Sequence, residues 1–250
     1  MSDNDYDDTI DYSREDLDTD DFSHIKNAVK LVNVSRTYKA GRTEIEALHN
    51  VNFEVNLGDF VVVSGHSGSG KTTLLNIIGA IDLASTGRVF VMDVPINDYD
   101  EAFRASFRLN NTGFIFQSYN LVSTLTAIEN VMFPMQLYEK SSMDLRDEAM
   151  QLLETVKMDH RADHLPWQLS SGEQQRVAIA RAMANDPPII LADEPTANLD
   201  GESGQMVREL LVKLNEMGKA IIVMTHDQGI IQQSDTRRFT IDAGELHPNV

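Results

Sequence analysis

The sequence predicts an α/β fold: a core with a mostly parallel sheet, an N-terminal antiparallel β part and an inserted α-helical subdomain. Two early runs, VKLVNVSRTY and VNFEVNL, alternate apolar and polar residues in the manner of half-buried strands. Five later runs lack strict alternation, as strands buried on both faces of a parallel sheet do: FVVVSG, GRVFVMD, TGFIFQ, PIILADEP and AIIVMTHD. Helical stretches separate these runs, and such alternation is typical of α/β domains.

Acidic residues are concentrated at the N-terminus. The chain of 250 residues has a formal net charge of −18, and residues 1–25 contribute −9 because ten acidic residues oppose Arg14 alone. High charge with few large apolar residues predicts a disordered acidic tail, for which a solvating role is favoured over an interaction role. A strongly acidic chain repels phosphate backbones, so we expect no nucleic acid partner.

Composition also bears on the cellular compartment. The chain has no cysteine, which excludes disulfides and thiolate metal sites. The N-terminus has no apolar signal segment, and no run approaches the roughly 18 apolar residues of a membrane span. The sequence therefore predicts a cytoplasmic protein without direct membrane insertion, unless a partner holds it at a membrane.

The order of the elements predicts the domain boundaries. Residues 26–117 and 184–250 are expected to form the α/β core, and residues 118–183, which carry helix signals only, the helical subdomain. Within this subdomain one helical face is predicted from Leu145, Ala149, Leu152, Leu153 and Val156. A later helix is expected to end at Gly218, and its apolar face is Met206, Val207, Leu210, Leu211 and Leu214.

The stretch VVVSGHSGSGKTTLLNIIG predicts a phosphate-binding loop. Gly65, Gly70, Lys71 and Thr72 match G-x-x-x-x-G-K-[ST], between a buried strand and an apolar helix. The strand and helix disfavour the alternative, a glycine-rich turn with a chance lysine. Glycines let the backbone wrap around a phosphate, and the loop amides and helix N-terminus attract the anion.

Individual roles follow for this loop. Lys71 is predicted to reach the β- and γ-phosphates, and the Thr72 hydroxyl to ligate Mg²⁺. The loop residues predicted to contact nucleotide are Gly65, His66, Ser67, Gly68, Ser69, Gly70, Lys71, Thr72 and Thr73.

The strand end PIILADEP supplies two carboxylates. Asp193 and Glu194 are expected at the carboxyl end of the strand, where open α/β sheets bind ligands. Asp193 would hold Mg²⁺, mainly through water, and Glu194 would polarise an attacking water as general base. A solvated turn is the alternative for such a pair taken alone, and the phosphate loop favours the catalytic interpretation.

A third stretch, LSSGEQQ at residues 169–175, resembles the signature of the ATP-binding cassette (ABC) ATPases. The family pattern is Leu-Ser-Gly-Gly-Gln, and this chain has Ser171 at the first glycine. The resemblance extends from Tyr38 to His226 and implies a phosphate-loop (RecA-like) core that binds and hydrolyses ATP. It also implies a homodimer enclosing two ATP molecules, in which Ser170, Ser171, Gly172 and Glu173 of one chain face the γ-phosphate held by Lys71 of the other.

Four more roles are implied by the resemblance, each at a matching position. Tyr38 in RTYKAG resembles the aromatic residue that stacks on adenine. Gln117 resembles the hinge glutamine that touches Mg²⁺ or the water and couples to the helical subdomain. Asp200 in ANLD resembles the residue that crosses the dimer interface, and His226 the switch histidine that contacts the γ-phosphate.

Three segments resemble the ATPases of the lipoprotein-release and macrolide-export type: SGHSGSGKTTLLNIIGAID, FQSYNLVSTLTAIENV and LADEPTANLD. Those ATPases pair with integral-membrane permease subunits. The resemblance therefore implies an ATPase subunit that drives a permease on a separate chain and lies peripherally on the inner face of the cell membrane.

Two other classes of protein fit the sequence less well. Soluble ABC ATPases of DNA repair carry a long coiled coil between their motifs, and those of translation carry two cassettes, whereas this chain has one set of motifs with about 96 residues between Lys71 and Gln168. A kinase is disfavoured by the signature stretch, and a GTPase by the lack of an Asn/Thr-Lys-x-Asp motif.

Overall fold

The computed structural model describes residues 25, 27–41, 43–137, 142–232 and 236–249, so the predicted acidic tail lies almost wholly outside the described residues. The strands are β1 (Val29–Ala40), β2 (Thr43–Val55), β3 (Phe60–Ser64), β4 (Thr86–Val91), β5 (Val94–Pro95), β6 (Thr112–Ile115), β7 (Ile189–Asp193), β8 (Ala220–Met224), β9 (Arg237–Asp242) and β10 (Glu245–Pro248). The helices are α1 (Lys71–Ile78), α2 (Glu101–Asn111), α3 (Ala127–Gln136), α4 (Ser142–Thr155), α5 (Ser171–Ala182), α6 (Gly201–Glu216) and α7 (Gln228–Ile231). None of these helices is long and apolar enough to span a membrane.

The strands form two sheets, which confirms the predicted α/β fold with an N-terminal antiparallel part. The smaller sheet has the order β2-β1-β4-β5 and is antiparallel. The larger has the order β10-β9-β3-β8-β7-β6, and all its strands are parallel except β10. Strand β3 therefore lies inside the larger sheet, between β8 and β9.

One strand was assigned to the wrong sheet by the sequence. GRVFVMD was predicted in the parallel sheet, but β4 pairs antiparallel with β1, with Val29 opposite Val91. Val89 and Val91 are buried, whereas the strand's first residues are exposed. Phe90 lies on the other, less buried face of the strand. Because Phe90 is also apolar, the hydrophobic pattern of the sequence does not show the alternation.

Five elements were not predicted at all: α2, α7, β5, β9 and β10. Strand β9 begins with Arg237 and Arg238, so its first residues lack the apolar pattern of a buried strand, although it pairs in parallel with β3. The predicted helix after β7 is confirmed as α6, and Gly218 follows its end with φ 89°, a left-handed conformation that favours glycine.

The larger sheet is covered on both faces. Val62 and Val223 belong to a hydrophobic cluster that also contains buried apolar residues of α3, α4, α5 and α6. Val61 and Ile222 belong to a second cluster with α1 and the smaller sheet. The helices between β6 and β7 therefore share one continuous core with the sheet.

Gly113 in β6 lies close against the end of α5. A Cβ at this position would collide with the Ala182 carbonyl at the end of α5 and lie 2.7 Å from Ile190 Cδ1. We expect Gly113→Ala to lower the free energy of unfolding by about 1–3 kcal/mol or more through overpacking. Gly201→Ala is the matched control, because a Cβ there meets nothing within 4 Å. Urea unfolding of both variants measures this, and equal stabilities would contradict it.

Candidate active site

The phosphate loop connects β3 to α1 and is shaped by its glycines. Gly68 and Gly70 have φ values of 79° and 111°, which side chains rarely adopt. A Cβ on Gly70 would lie 2.6 Å from the Ala47 carbonyl of β2. The loop is thus packed between the smaller sheet and its own strand, with α1 beginning directly at Lys71.

Lys71 lies over this loop. Its Nζ donates hydrogen bonds to the carbonyls of Gly65 at 2.6 Å and His66 at 3.0 Å. A cavity of about 650 Å³ opens beside it. The predicted site residues that line the cavity are Gly65, His66, Ser67, Gly68, Gly70, Lys71, Thr72, Thr73, Gln117, Asp193, Glu194 and His226.

Seven of the predicted positions lie elsewhere. Ser69 is buried beneath the loop and does not line the cavity. Tyr38, residues 170–173 and Asp200 are also absent from the cavity wall formed by the described residues. The structure therefore brings together the phosphate loop and the strand ends, but not the signature.

Thr72 and Asp193 meet at the floor of the cavity. Thr72 Oγ1 donates to Asp193 Oδ2 at 3.0 Å, joining the start of α1 to the end of β7. Burial raises the pKa of Asp193 above its ordinary value, while the hydrogen bond from Thr72 opposes this rise. A hydroxyl and a carboxylate are hard oxygen donors of the kind that Mg²⁺ prefers, so these two side chains fit a magnesium ion.

Glu194 follows Asp193 in a left-handed conformation with φ 46°. Its Oε2 accepts a hydrogen bond from Thr225 Oγ1 at 3.2 Å. The same oxygen lies 2.9 Å from His226 Nδ1. The Glu194 side chain is 14% exposed and that of His226 78% exposed. The ends of β7 and β8 thus hold a buried carboxylate beside an exposed imidazole. The left-handed backbone at Glu194 is a strained conformation, and strain of this kind costs on the order of 1–3 kcal/mol and clusters at active sites.

Gln117 follows β6 and lines the same cavity as the residues at the ends of β7 and β8. The segment after it is also strained, because Tyr119 and Asn120 have φ values of 59° and 50°. Arg181 of α5 holds this segment by donating to both carbonyls, at 2.8 Å to that of Tyr119. Burial lowers the pKa of the Arg181 guanidinium.

Thr225 and Arg181 were missed by the sequence prediction. Thr225 directly precedes the predicted His226, and a hydroxyl beside a histidine was a usable signal. Arg181 has no comparable signal, because an arginine late in an amphipathic helix is normally read as part of the solvated face.

The predicted signature forms the N-terminus of α5. Ser170 Oγ accepts from the Glu173 N–H at 3.3 Å, and Glu173 Oε2 accepts from the Ser170 N–H at 2.8 Å, which makes a capping box. The backbone hydrogen bond from Ser170 lowers the pKa of Glu173. The exposed Ser170 is therefore held by its own helix rather than by the cavity.

Gly172 is buried against the start of α6. A Cβ on Gly172 would collide with the Ser203 hydroxyl and lie 2.7 Å from Ser203 Cβ. Ser203 in turn donates its N–H to Asp200 Oδ1 at 2.8 Å. The signature and the predicted interface residue Asp200 are thus packed together within one chain, whereas Ser171, where the family pattern has glycine, is partly buried at the first position of α5.

These features define a class of protein. A glycine-rich loop ends a central parallel strand, a lysine lies over it, and a carboxylate pair ends another strand of the same sheet. This is the arrangement of a phosphate-loop nucleoside triphosphatase.

A family model described as ABC transporter matches residues 48–197, and the chain belongs to this family. It is 48% identical over 204 residues to the ABC transporter ATP-binding protein MJ0796 of Methanocaldococcus jannaschii, covering 80% of this chain and 87% of that one. It is 42% identical over 215 residues to the lipoprotein-releasing system ATP-binding protein LolD of Idiomarina loihiensis, with coverages of 86% and 94%.

Two further comparisons extend this result. The chain is 41% identical over 207 residues to the macrolide export ATP-binding/permease protein MacB of Chlorobaculum tepidum, covering 83% of this chain and 32% of MacB. It superimposes with a TM-score of 0.82, at 45% identity, on a dimeric post-hydrolysis state of MJ0796 bound to ADP and Pi, covering 87% of this chain and 96% of that one. Within its family the protein is an ATP-binding subunit and an ATPase.

Proposed function

We propose that this ATPase works as a homodimer that encloses two ATP molecules and drives an export-type permease on a separate chain, at the inner face of the cell membrane. The observation that carries the proposal is the separation of two phosphate-binding features in one chain. The cavity beside Lys71 holds one, and the exposed N-terminus of α5 is the other.

Within one chain, the cavity residues supply half of the chemistry of ATP hydrolysis. The Lys71 ammonium and the N-terminus of α1 are suited to neutralise the β- and γ-phosphates. Thr72 and Asp193 are the residues that would hold Mg²⁺, which neutralises phosphate charge when bound. Glu194 would accept the proton of the attacking water, and Gln117 and His226 would orient the water and the γ-phosphate.

The N-terminus of α5 from a second copy would complete the site. The Ser170 oxygen accepts a hydrogen bond from Glu173 N–H, so the hydroxyl proton is free to be donated to an anion. The helix dipole favours a negative charge at the same place. The capping box also keeps the Glu173 carboxylate directed back to Ser170 N–H, away from an approaching phosphate.

The known relatives support this arrangement. The MJ0796 cassette forms a dimer with ADP and Pi bound, and LolD is named as part of a lipoprotein-releasing system. MacB is named as both an ATP-binding and a permease protein of macrolide export. An ATPase that lacks an apolar spanning helix among its described residues is suited to act on a permease held on another chain.

A second cavity is the proposed docking site of the permease. This groove of about 330 Å³ lies behind the segment that follows Gln117. Its lining includes Phe116, Val122, Phe133, Pro134 and Arg181. Val122 and Phe133 are 40% and 46% exposed, so the groove offers an apolar surface. Because Arg181 holds the carbonyls of residues 119 and 120, a permease segment seated here would press on both Gln117 and α5.

A variant in the groove tests this proposal. We expect Phe133→Asp to lose co-purification of membrane permease from the host membranes by roughly tenfold or more, because a charge would be buried in an apolar contact. Leu137→Asp is the matched control, since Leu137 is 62% exposed but does not line the groove. Affinity purification of the tagged variants with quantitative mass spectrometry provides the measurement. Recovery of only ribosomes or DNA by the unchanged protein would overturn the transporter assignment.

A further inference from the structure

Arg36 and Tyr38 of β1 form a compact cluster with Asp82, which follows α1. The Tyr38 hydroxyl donates to Asp82 Oδ2 at 2.7 Å, and Arg36 Nη2 lies 2.7 Å from Asp82 Oδ1. The Arg36 guanidinium carbon also lies 4.5 Å from the centroid of the Tyr38 ring. Arg36 thus covers one face of the ring while Asp82 fixes its hydroxyl.

Both charged members of the cluster are largely buried. The side chains of Arg36 and Asp82 are 22% and 23% exposed. Asp82 Oδ1 accepts a further hydrogen bond from Leu83 N–H at 2.8 Å. By contrast, the side chains of the ion pair between Lys39 of β1 and Glu44 of β2 are 81% and 65% exposed. The buried pair therefore has a defined geometry that the exposed one lacks.

The backbone of Asp82 is hydrogen-bonded to the helix that follows the phosphate loop. The backbone N–H groups of Ile81 and Asp82 both donate to the Asn76 carbonyl of α1, at 2.9 Å and 3.1 Å. Helix α1 begins at Lys71. Tyr38 lies in β1 of the other sheet, so the Asp82 carboxylate ties this ring to the helix that carries the phosphate site.

We propose that Arg36 and Asp82 are positioning residues that set Tyr38 as the platform for the base of ATP. The guanidinium closes one ring face and leaves the opposite face for the planar base, while the hydroxyl bond fixes the distance from the ring to the phosphate loop. Stacking on a ring that is already immobilised avoids the cost of ordering it on binding. The inference rests on the proposed function and on the stacking of Tyr38 on adenine that the family resemblance implies.

The test separates binding of the base from binding of the phosphates. Kd is measured for ATP and for inorganic tripolyphosphate, which has no base, in the presence of Mg²⁺. Tyr38→Phe keeps the ring and removes the hydroxyl bond, whereas Asp82→Ala releases both the ring and Arg36. We expect both variants to weaken ATP binding roughly three- to tenfold, as lost preorganisation of one side chain does, and to leave tripolyphosphate binding unchanged.

Kinetic measurements and controls complete the design. KM for ATP should rise by the same factor while kcat at saturating ATP stays unchanged, since the cluster touches none of the cavity residues that act on the γ-phosphate. Tyr38→Ala should give the largest loss of ATP binding. Glu44→Ala removes the exposed ion pair between β1 and β2. This control should change the binding of neither ATP nor tripolyphosphate.

The possible outcomes are distinct. Equal weakening of ATP and tripolyphosphate by Asp82→Ala would overturn the inference, because the residue would then act through the shape of the loop. Weaker ATP binding in Tyr38→Ala together with unchanged binding in Tyr38→Phe and Asp82→Ala would also overturn it. Unchanged ATP binding in Tyr38→Ala would instead remove Tyr38 from the proposed function itself.

Discussion

Glu194→Gln is expected to lower the turnover of ATP by about 10²–10⁴-fold, the usual contribution of a general base. The amide has the shape of the carboxylate but cannot accept a proton from water. It also removes the negative partner of His226 Nδ1. Lys71, Thr72 and the loop glycines are unchanged, so ATP should still bind. Enclosed ATP that is not hydrolysed should hold two copies of the chain together.

Two measurements check this expectation. Steady-state hydrolysis at saturating ATP and Mg²⁺ gives the loss of turnover, and gel filtration gives the oligomeric state. Trp167 provides a third signal, because it is the single tryptophan of the chain, is 74% exposed and lies three residues before Ser170. Its emission should shift to shorter wavelength when ATP closes the dimer. A variant that stays monomeric with saturating ATP would count against the enclosed dimer, and near-normal turnover would assign the base to another residue.

Ser170→Asp should abolish the ATP-dependent dimer in the Glu194→Gln background while each chain still binds ATP. Aspartate is as good a helix N-cap as serine, so α5 should keep its start. Its charge would, however, face the γ-phosphate held by the partner. Like charges brought together at an interface cost several kcal/mol, which corresponds to a rise in the dimer Kd of roughly 100-fold or more.

Ser170→Asn is the matched control for this variant. Asparagine has nearly the same shape as aspartate, caps helices equally well and carries no charge. The control should therefore retain most of the dimer. Titration of ATP binding to single chains, by a fluorescent ATP analogue at low protein concentration, should give similar Kd values for all three proteins. Dimers of equal strength in the aspartate and asparagine variants would exclude the N-terminus of α5 from the phosphate site.

The predicted residues that the structure brings together are those whose positions depend on local order. The phosphate loop needs glycines, a lysine and a hydroxyl within eight positions, and β3 and α1 flank it as expected. Asp193 and Glu194 end a strand whose burial is evident from three consecutive apolar residues. That these residues line one cavity with Gln117 and His226 follows from the parallel sheet, since parallel strands end on the same side.

Other features depend on contacts between distant parts of the chain and could not be predicted. Nothing near Arg181 indicates that its guanidinium holds the carbonyls of residues 119 and 120. Nothing near Tyr38 indicates Asp82 as its partner. Gly172 was predicted to face the γ-phosphate of a partner chain, and its burial against Ser203 adds a reason for glycine that is internal to the chain. The signature's role across a dimer remains a prediction.

The position of β3 inside its sheet also determines when the protein can acquire its site during synthesis. Val61 pairs with Ile222 of β8 on one side and with Arg237 of β9 on the other. The phosphate loop is translated early, but neither neighbour of its strand exists until the ribosome has passed residue 220. Such non-local parallel pairing is slow to form, and unpaired apolar strands are prone to aggregate. A nascent chain that stops before β8 thus lacks the nucleotide site altogether and exposes both edges of β3 until chaperones or further translation cover them.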